Sequence, residues 1–194
     1  MFSGKWKKQI ITIPNLLSLF RIALIPVYIS VYLSAENDRQ YLLAGSILAV
    51  SCLTDLVDGI IARKWNCITN VGKVLDPMAD KLTQFALILS LSAKYPVLYP
   101  VLALFLGKEF FQFGALVFFA RKGKVLPGAL FAGKLCTTVL FLSLILLVLF
   151  PEIPDRTVQF LTLADTGFLL YAFGTYFHAY FGNRNKLTEL NRDA

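Results

Sequence analysis

An all-α integral membrane protein with six spanning helices is the fold class this 194-residue chain predicts, on three observations. The chain is 57% hydrophobic with a mean hydropathy of +0.65; soluble domains are about half apolar, with those residues scattered. Here they form runs long enough to cross a bilayer, which takes about 20 helical residues. The runs are too long for strands and do not alternate, which argues against a membrane barrel. Finally, the cationic residues collect at alternate connections, as in a chain threaded back and forth through a membrane.

The elements follow in order. Phe2, Trp6, Ile10, Ile11 and Ile13, interleaved with Lys5, Lys7 and Lys8, predict a short N-terminal amphipathic segment lying on an anionic membrane surface. The long span behind it has no small-residue cleavage site, so it does not read as a cleavable signal peptide. Spans are predicted at 15–34, 41–62, 73–93, 97–119, 128–150 and 157–181. Arg63 and Lys64 follow the second span, Arg121, Lys122 and Lys124 the fourth, and Arg184, Lys186 and Arg192 the sixth. The other side carries Arg39, Lys94 and Arg156, offset by Glu36, Asp38, Glu152 and Asp155. The positive-inside rule puts both termini in the cytoplasm. The net charge of +7 therefore suits lipid headgroups, and nucleic acid is not an expected partner. With no repeat or linker, residues 1–194 read as one domain. Cys52, Cys67 and Cys136 lack metal or disulfide spacing; Cys52 and Cys136 lie in apolar runs and are expected to pack.

The chemistry concentrates in Asp55-Leu-Val-Asp58-Gly59-Ile-Ile-Ala62-Arg63 and Gly72-Lys-Val-Leu-Asp76-Pro-Met-Ala-Asp80. Carboxylates at a bilayer edge are costly unless a cation or substrate uses them. Residues three or four apart share a helix face, and two consecutive antiparallel helices would bring both pairs to one depth. A divalent cation relieves the repulsion, and an all-oxygen ligand set favours Mg²⁺, Mn²⁺ or Ca²⁺, as one ion or two. Gly59 and Ala62 leave room for a flat or bulky group, and Arg63 offers a planar fork to phosphate. Gly72 lets the third helix start close to its neighbour, and Pro77 is expected in that helix's first turn, where a missing N–H does little harm.

The segment from Asp55 to Asp80 resembles, position for position, the signature of the CDP-alcohol phosphotransferase family, D-x-x-D-G-x-x-A-R, eight residues, then G-x-x-x-D-x-x-x-D. The resemblance implies six helices around a polar cavity open to the cytoplasm, commonly in a homodimer. It implies that Asp55, Asp58 and Asp76 hold Mg²⁺ or Mn²⁺ with help from Asp80, and that Asp55, Gly59, Ala62, Arg63 and Gly72 form the nucleotide and diphosphate side. Asp80 would be the catalytic general base, taking a proton from an acceptor hydroxyl that attacks the lipid-side phosphorus and expels CMP.

Three further phrases bear on the acceptor. Ile13-Pro14-Asn15-Leu-Leu-Ser18-Leu-Phe-Arg21 resembles the first helix of the phosphatidylglycerophosphate synthase and cardiolipin synthase branches, with Arg21 offered to phosphate. Lys108 and Glu109 interrupt the fourth span and resemble an Arg-Glu pair of the glycerophosphate branch. Gly133-Lys134-Leu-Cys136-Thr137 resembles its G-K-x-K-T, with Lys134 retained and Cys136 in place of the second lysine. Asp165 and His178 in the last span are expected to pack, with lining of the cavity as the alternative. The expected activity is phosphatidyl transfer from CDP-diacylglycerol to glycerol 3-phosphate in phospholipid biosynthesis, in a bacterial cytoplasmic membrane. Cardiolipin synthesis with phosphatidylglycerol as acceptor is the alternative. A cation transporter is a different class, disfavoured by the edge position of the carboxylates, by Arg63 and the small residues, and by the lack of an inverted repeat.

Overall fold

The computed structural model describes residues 12–64, 71–122 and 130–182, and the side chains of 13, 14, 55, 56, 58–64, 73 and 182 lie outside that description. The elements are α1 (Ile13–Leu33), α2 (Asp38–Lys64), α3 (Gly72–Lys94), a 3-10 turn (Pro96–Leu98), α4 (Tyr99–Arg121), α5 (Phe131–Leu149) and α6 (Asp155–Phe177), which continues into a π-helical turn (His178–Gly182). No strand occurs among the described residues. Among the described residues six long helices thus stand where the six apolar runs predict them, with ends moved by a few residues. The N-terminal amphipathic segment, Cys67 and the basic residues Lys124, Arg184, Lys186 and Arg192 lie outside the described residues.

Three helical stretches, Asn15–Leu33, Pro96–Arg121 and Phe131–Leu149, are long and apolar enough to cross a membrane. The remaining long helices are diluted by acids, Asp55 and Asp58 in α2, Asp76 and Asp80 in α3, and Asp165 in α6. Phe110, Phe113, Phe131, Phe160 and Leu163 all turn outward, each at least two-thirds exposed. An apolar coat of that kind suits contact with lipid, and the protein is an integral membrane protein by its helices.

The described residues fall into two compact units. The first comprises Met1–Lys94 with Val148–Pro151, and in it α1 packs against both α2 and α3. Helix starts follow local chemistry. Asn37 caps α2, its side-chain oxygen accepting from the Gln40 N–H at 3.1 Å, while Gln40 reaches back to the Glu36 N–H at 2.6 Å. This is a capping box drawn one residue longer than usual. Ala44, Gly45, Ala79 and Ala86 are buried, and such small residues let helix backbones approach closely in a membrane. A Cβ at Gly45 would lie 3.1 Å from Leu149 Cδ2. Tyr28 and Tyr32 are buried, with the Tyr28 and Ser90 hydroxyls 3.3 Å apart. Lys94 sits 3.9 Å above the Tyr41 ring, a cation–π contact at the end of α3.

One expectation in this unit is corrected. The Val71 carbonyl accepts from Val74 and Leu75, which starts α3 at Gly72 and makes Pro77 an interior residue rather than a first-turn one. Pro77 has no N–H to give the Lys73 carbonyl, so α3 lacks one rung of its ladder there.

The second unit comprises Tyr95–Leu147 with Glu152–Ala194, and α4 packs against α6. Its core joins Ala115 and Phe119 of α4 to Tyr176 and Tyr180, with Phe111 packed alongside. Phe111 stacks on Tyr180 at 6.1 Å and on Phe177 at 6.0 Å between ring centroids.

Candidate active site

α1 and α3 run in the same direction, and their polar residues meet in register. The Ser18 hydroxyl donates to Asp76 Oδ1. One turn on, Arg21 Nη1 donates to Asp80 Oδ1 at 2.5 Å, and further along Tyr28 meets Ser90. Spacings of three on α1 and four on α3 both amount to about one helical turn, which is why one face of α1 can serve both carboxylates. That face is shut off from its surroundings, with Asn15 2%, Ser18 0% and Arg21 2% exposed, whereas the Asp80 side chain is 53% exposed. A buried guanidinium thus holds one oxygen of an accessible carboxylate, a charge-assisted bond.

Arg21, expected at an acceptor phosphate, pairs through Nη1 with Asp80. Ser18 enters as the partner of Asp76, a role the sequence reading left unassigned. Its signal was present in the matching one-turn intervals of 18/21 and 76/80.

Asp55, Asp58, Gly59, Ala62 and Arg63 all fall on α2, but their side chains lie outside the described residues. Gly72 is buried at the first position of α3. Among the described residues, which do not include the side chains of Asp55 and Asp58, no three His, Cys, Asp or Glu side chains gather as a metal-binding group. The donors that are described fit a hard cation: two carboxylates on successive turns, with Ser18 and Arg21 each held to an Oδ1. Hydroxyl and guanidinium partners of this kind orient ligating carboxylates.

The remaining predicted residues belong to the second unit. Lys108 is 3% exposed and pairs with Glu109 at 2.7 Å. A buried ion pair inside a membrane helix is costly and marks a site for function or specificity. Lys134 is exposed in the first turn of α5. Cys136 is buried, as expected, and Cys52 is partly so. Asp165 is 1% exposed and accepts from the Ser143 hydroxyl at 3.0 Å, while its Oδ2 has no hydrogen-bond partner among the described residues. Ser143→Ala removes that bond and is expected to lower stability by about 1–3 kcal/mol, read as the thermal unfolding midpoint in detergent. His178, expected to pack, is instead exposed; it follows buried Tyr176 by two residues, which on a helix puts it on the opposite side.

Comparison with known proteins joins these observations. Residues 11–177 match the CDP-alcohol phosphatidyltransferase family. The chain is similar to the CDP-diacylglycerol--glycerol-3-phosphate 3-phosphatidyltransferase of Rickettsia bellii, 39% identical over 56% of this chain and 59% of that protein. It is similar to the cardiolipin synthase (CMP-forming) of Streptomyces coelicolor, 32% identical over 73% of this chain and 66% of that protein. A third relative is the CDP-diacylglycerol--glycerol-3-phosphate 3-phosphatidyltransferase of Bacillus subtilis, 34% identical over 76% of this chain and 81% of that protein. The aligned part thus spans less than two thirds of the first two relatives and about four fifths of the third.

Proposed function

Because the chain belongs to the CDP-alcohol phosphatidyltransferase family, we propose that it transfers the phosphatidyl group of CDP-diacylglycerol to a hydroxyl of glycerol 3-phosphate and releases CMP. The observation that carries this reading is the α1–α3 register, which orients Asp76 through Ser18 and Asp80 through Arg21. Relatives that bear this activity in their names add support.

The roles follow from the chemistry. Asp55, Asp58 and Asp76, with Asp80 beside them, are the ligands for one or two Mg²⁺ or Mn²⁺ ions. A dication bound there would stabilise negative charge on the diphosphate oxygens. Gly59, Ala62, Arg63 and Gly72 take the nucleotide and diphosphate. Asp80 is accessible, and it accepts the proton of the acceptor hydroxyl. The hydroxyl oxygen then forms a bond to the lipid-side phosphorus as the bond to CMP breaks, and Asp80 returns its proton to solvent. Arg21 fixes the carboxylate for that approach, so less of the barrier is spent on orientation.

The reading extends to topology. All six helices cross the bilayer, the site opens to the cytoplasm, both termini lie on that side, and the membrane is a bacterial cytoplasmic membrane. The shared direction of α1 and α3 supports it, since alternating spans require it. Residues 1–194 act as one domain, and two copies pair as a homodimer.

Lys134 and the Lys108–Glu109 pair are assigned to the anionic group of the acceptor. Lys134→Ala is expected to raise the KM for glycerol 3-phosphate about tenfold or more, the size of a charge-assisted hydrogen bond, with the KM for CDP-diacylglycerol unchanged. An unchanged acceptor KM removes Lys134 from the acceptor site. A second reading, cardiolipin synthesis from phosphatidylglycerol, is favoured by the Streptomyces relative and by Cys136 at the second lysine position. The deciding assay supplies labelled CDP-diacylglycerol, Mn²⁺ and each acceptor in turn to the purified protein. CMP release that depends on glycerol 3-phosphate supports the first reading, and release only with phosphatidylglycerol replaces it with the second. No release with any acceptor, together with cation flux in liposomes, overturns both.

A further inference from the structure

Among the described residues, the start of α5 draws its side-chain acceptor from another helix. The residue before α5 is Leu130, whose side chain has no acceptor, and the first N–H groups of a helix need one. The Tyr176 hydroxyl of α6 accepts from the Leu130 N–H at 3.3 Å, while the Leu130 carbonyl accepts from the Lys134 N–H at 3.1 Å. Tyr176 therefore reaches Lys134 through a single residue.

The approach is close because Gly133 has no side chain. A Cβ there would lie 2.3 Å from the Tyr176 hydroxyl oxygen, 2.8 Å from Cε2 and 2.9 Å from Cζ. The ring cannot swing aside cheaply, since Tyr176 is 5% exposed and packed among Ala115, Phe119 and Tyr180. The glycine notch and the phenol fit one rotation of α5 about its axis. The first turn is tied further by Thr137 and Thr138, which donate to the Lys134 carbonyl at 2.9 Å. Lys134 itself is exposed on that turn.

We infer that Tyr176 is a positioning residue for Lys134: seated against Gly133 and capping α5 at Leu130, it sets the rotation at which Lys134 meets the phosphate or phosphodiester of the acceptor. This rests on the assignment of Lys134 to the acceptor made above.

The test uses the full chain in detergent with CDP-diacylglycerol, Mn²⁺ and glycerol 3-phosphate, or phosphatidylglycerol if that is the active acceptor. Tyr176→Phe keeps the ring and removes the hydroxyl. It should speed amide hydrogen exchange across residues 130–134 and raise the acceptor KM about threefold or more, with the donor KM unchanged. In a Lys134→Ala background the same substitution should leave the acceptor KM where it is, which a merely structural role would not do. Gly133→Ala, which pushes on the ring from the other side, should repeat the acceptor-KM effect. Unchanged exchange in Tyr176→Phe overturns the cap. An equal rise in acceptor KM with and without Lys134 overturns action through Lys134. If exchange speeds up but Lys134→Ala alone leaves the acceptor KM unchanged, the cap stands and the functional inference falls with the acceptor assignment.

Discussion

Asp80→Asn is expected to lower kcat for acceptor-dependent CMP release by roughly 10²–10⁴-fold, the usual contribution of a positioned general base, while the protein stays folded. The two halves of that expectation have different sources. Asparagine cannot take a proton from the acceptor hydroxyl, so the chemical step suffers. Its side-chain oxygen can still accept from Arg21 Nη1, so the α1–α3 contact now made at 2.5 Å survives. Asp80→Ala removes the acceptor as well and deprives a guanidinium that is 2% exposed of this partner. Since half of the Asp80 side chain is solvated, the further loss of stability is about 1–3 kcal/mol, below that of a fully buried pair. Activity assays and thermal unfolding on the two variants separate the roles. If Asp80→Asn keeps more than a tenth of the wild-type kcat, another group is the base.

Ser18→Ala is expected to weaken Mn²⁺ binding about 10–100-fold, the range for losing a partner that orients a metal ligand. Ser18 is fully enclosed and donates to Asp76 Oδ1, so alanine leaves the shape of α1 intact and frees the carboxylate to rotate. Electron paramagnetic resonance titration of Mn²⁺ reads the affinity directly, and saturating Mn²⁺ should restore most of the lost activity. Unchanged Mn²⁺ affinity would separate Asp76 from the metal.

Much of this arrangement was legible in the chain. The helices followed from apolar run length, since a bilayer sets a minimum length that few other constraints imitate. The shared face of Asp76 and Asp80 followed from spacing, because an interval of four places side chains on one face whatever the tertiary context. What escaped were relations between helices. Arg21 read as a phosphate anchor because one helix at a time shows a cation near a headgroup, and only the register with α3 shows Asp80 opposite it. Ser18 drew no role because a serine in a membrane helix commonly bonds to its own backbone, as Ser30 does to the Pro26 carbonyl at 2.8 Å. Tyr176 lies 43 residues from Gly133 in sequence, and nothing local to either signals the notch that joins them. Pro77 was misplaced because a helix start is set by which carbonyl the first N–H groups find, here that of Val71.

Pro77 stands between the two carboxylates of α3, immediately after Asp76 and three residues before Asp80. A helix normally fixes the distance between successive turns by its own hydrogen bonds, and this one is missing a bond beside that interval. α1 acts as a splint laid along the weakened stretch, fastened at Ser18 on one side of the proline and at Arg21 on the other. The gauge of the acidic pair is thus set from outside the helix that bears it. Loosening either fastening should widen or skew that gauge more than the loss of one hydrogen bond would in an unbroken helix.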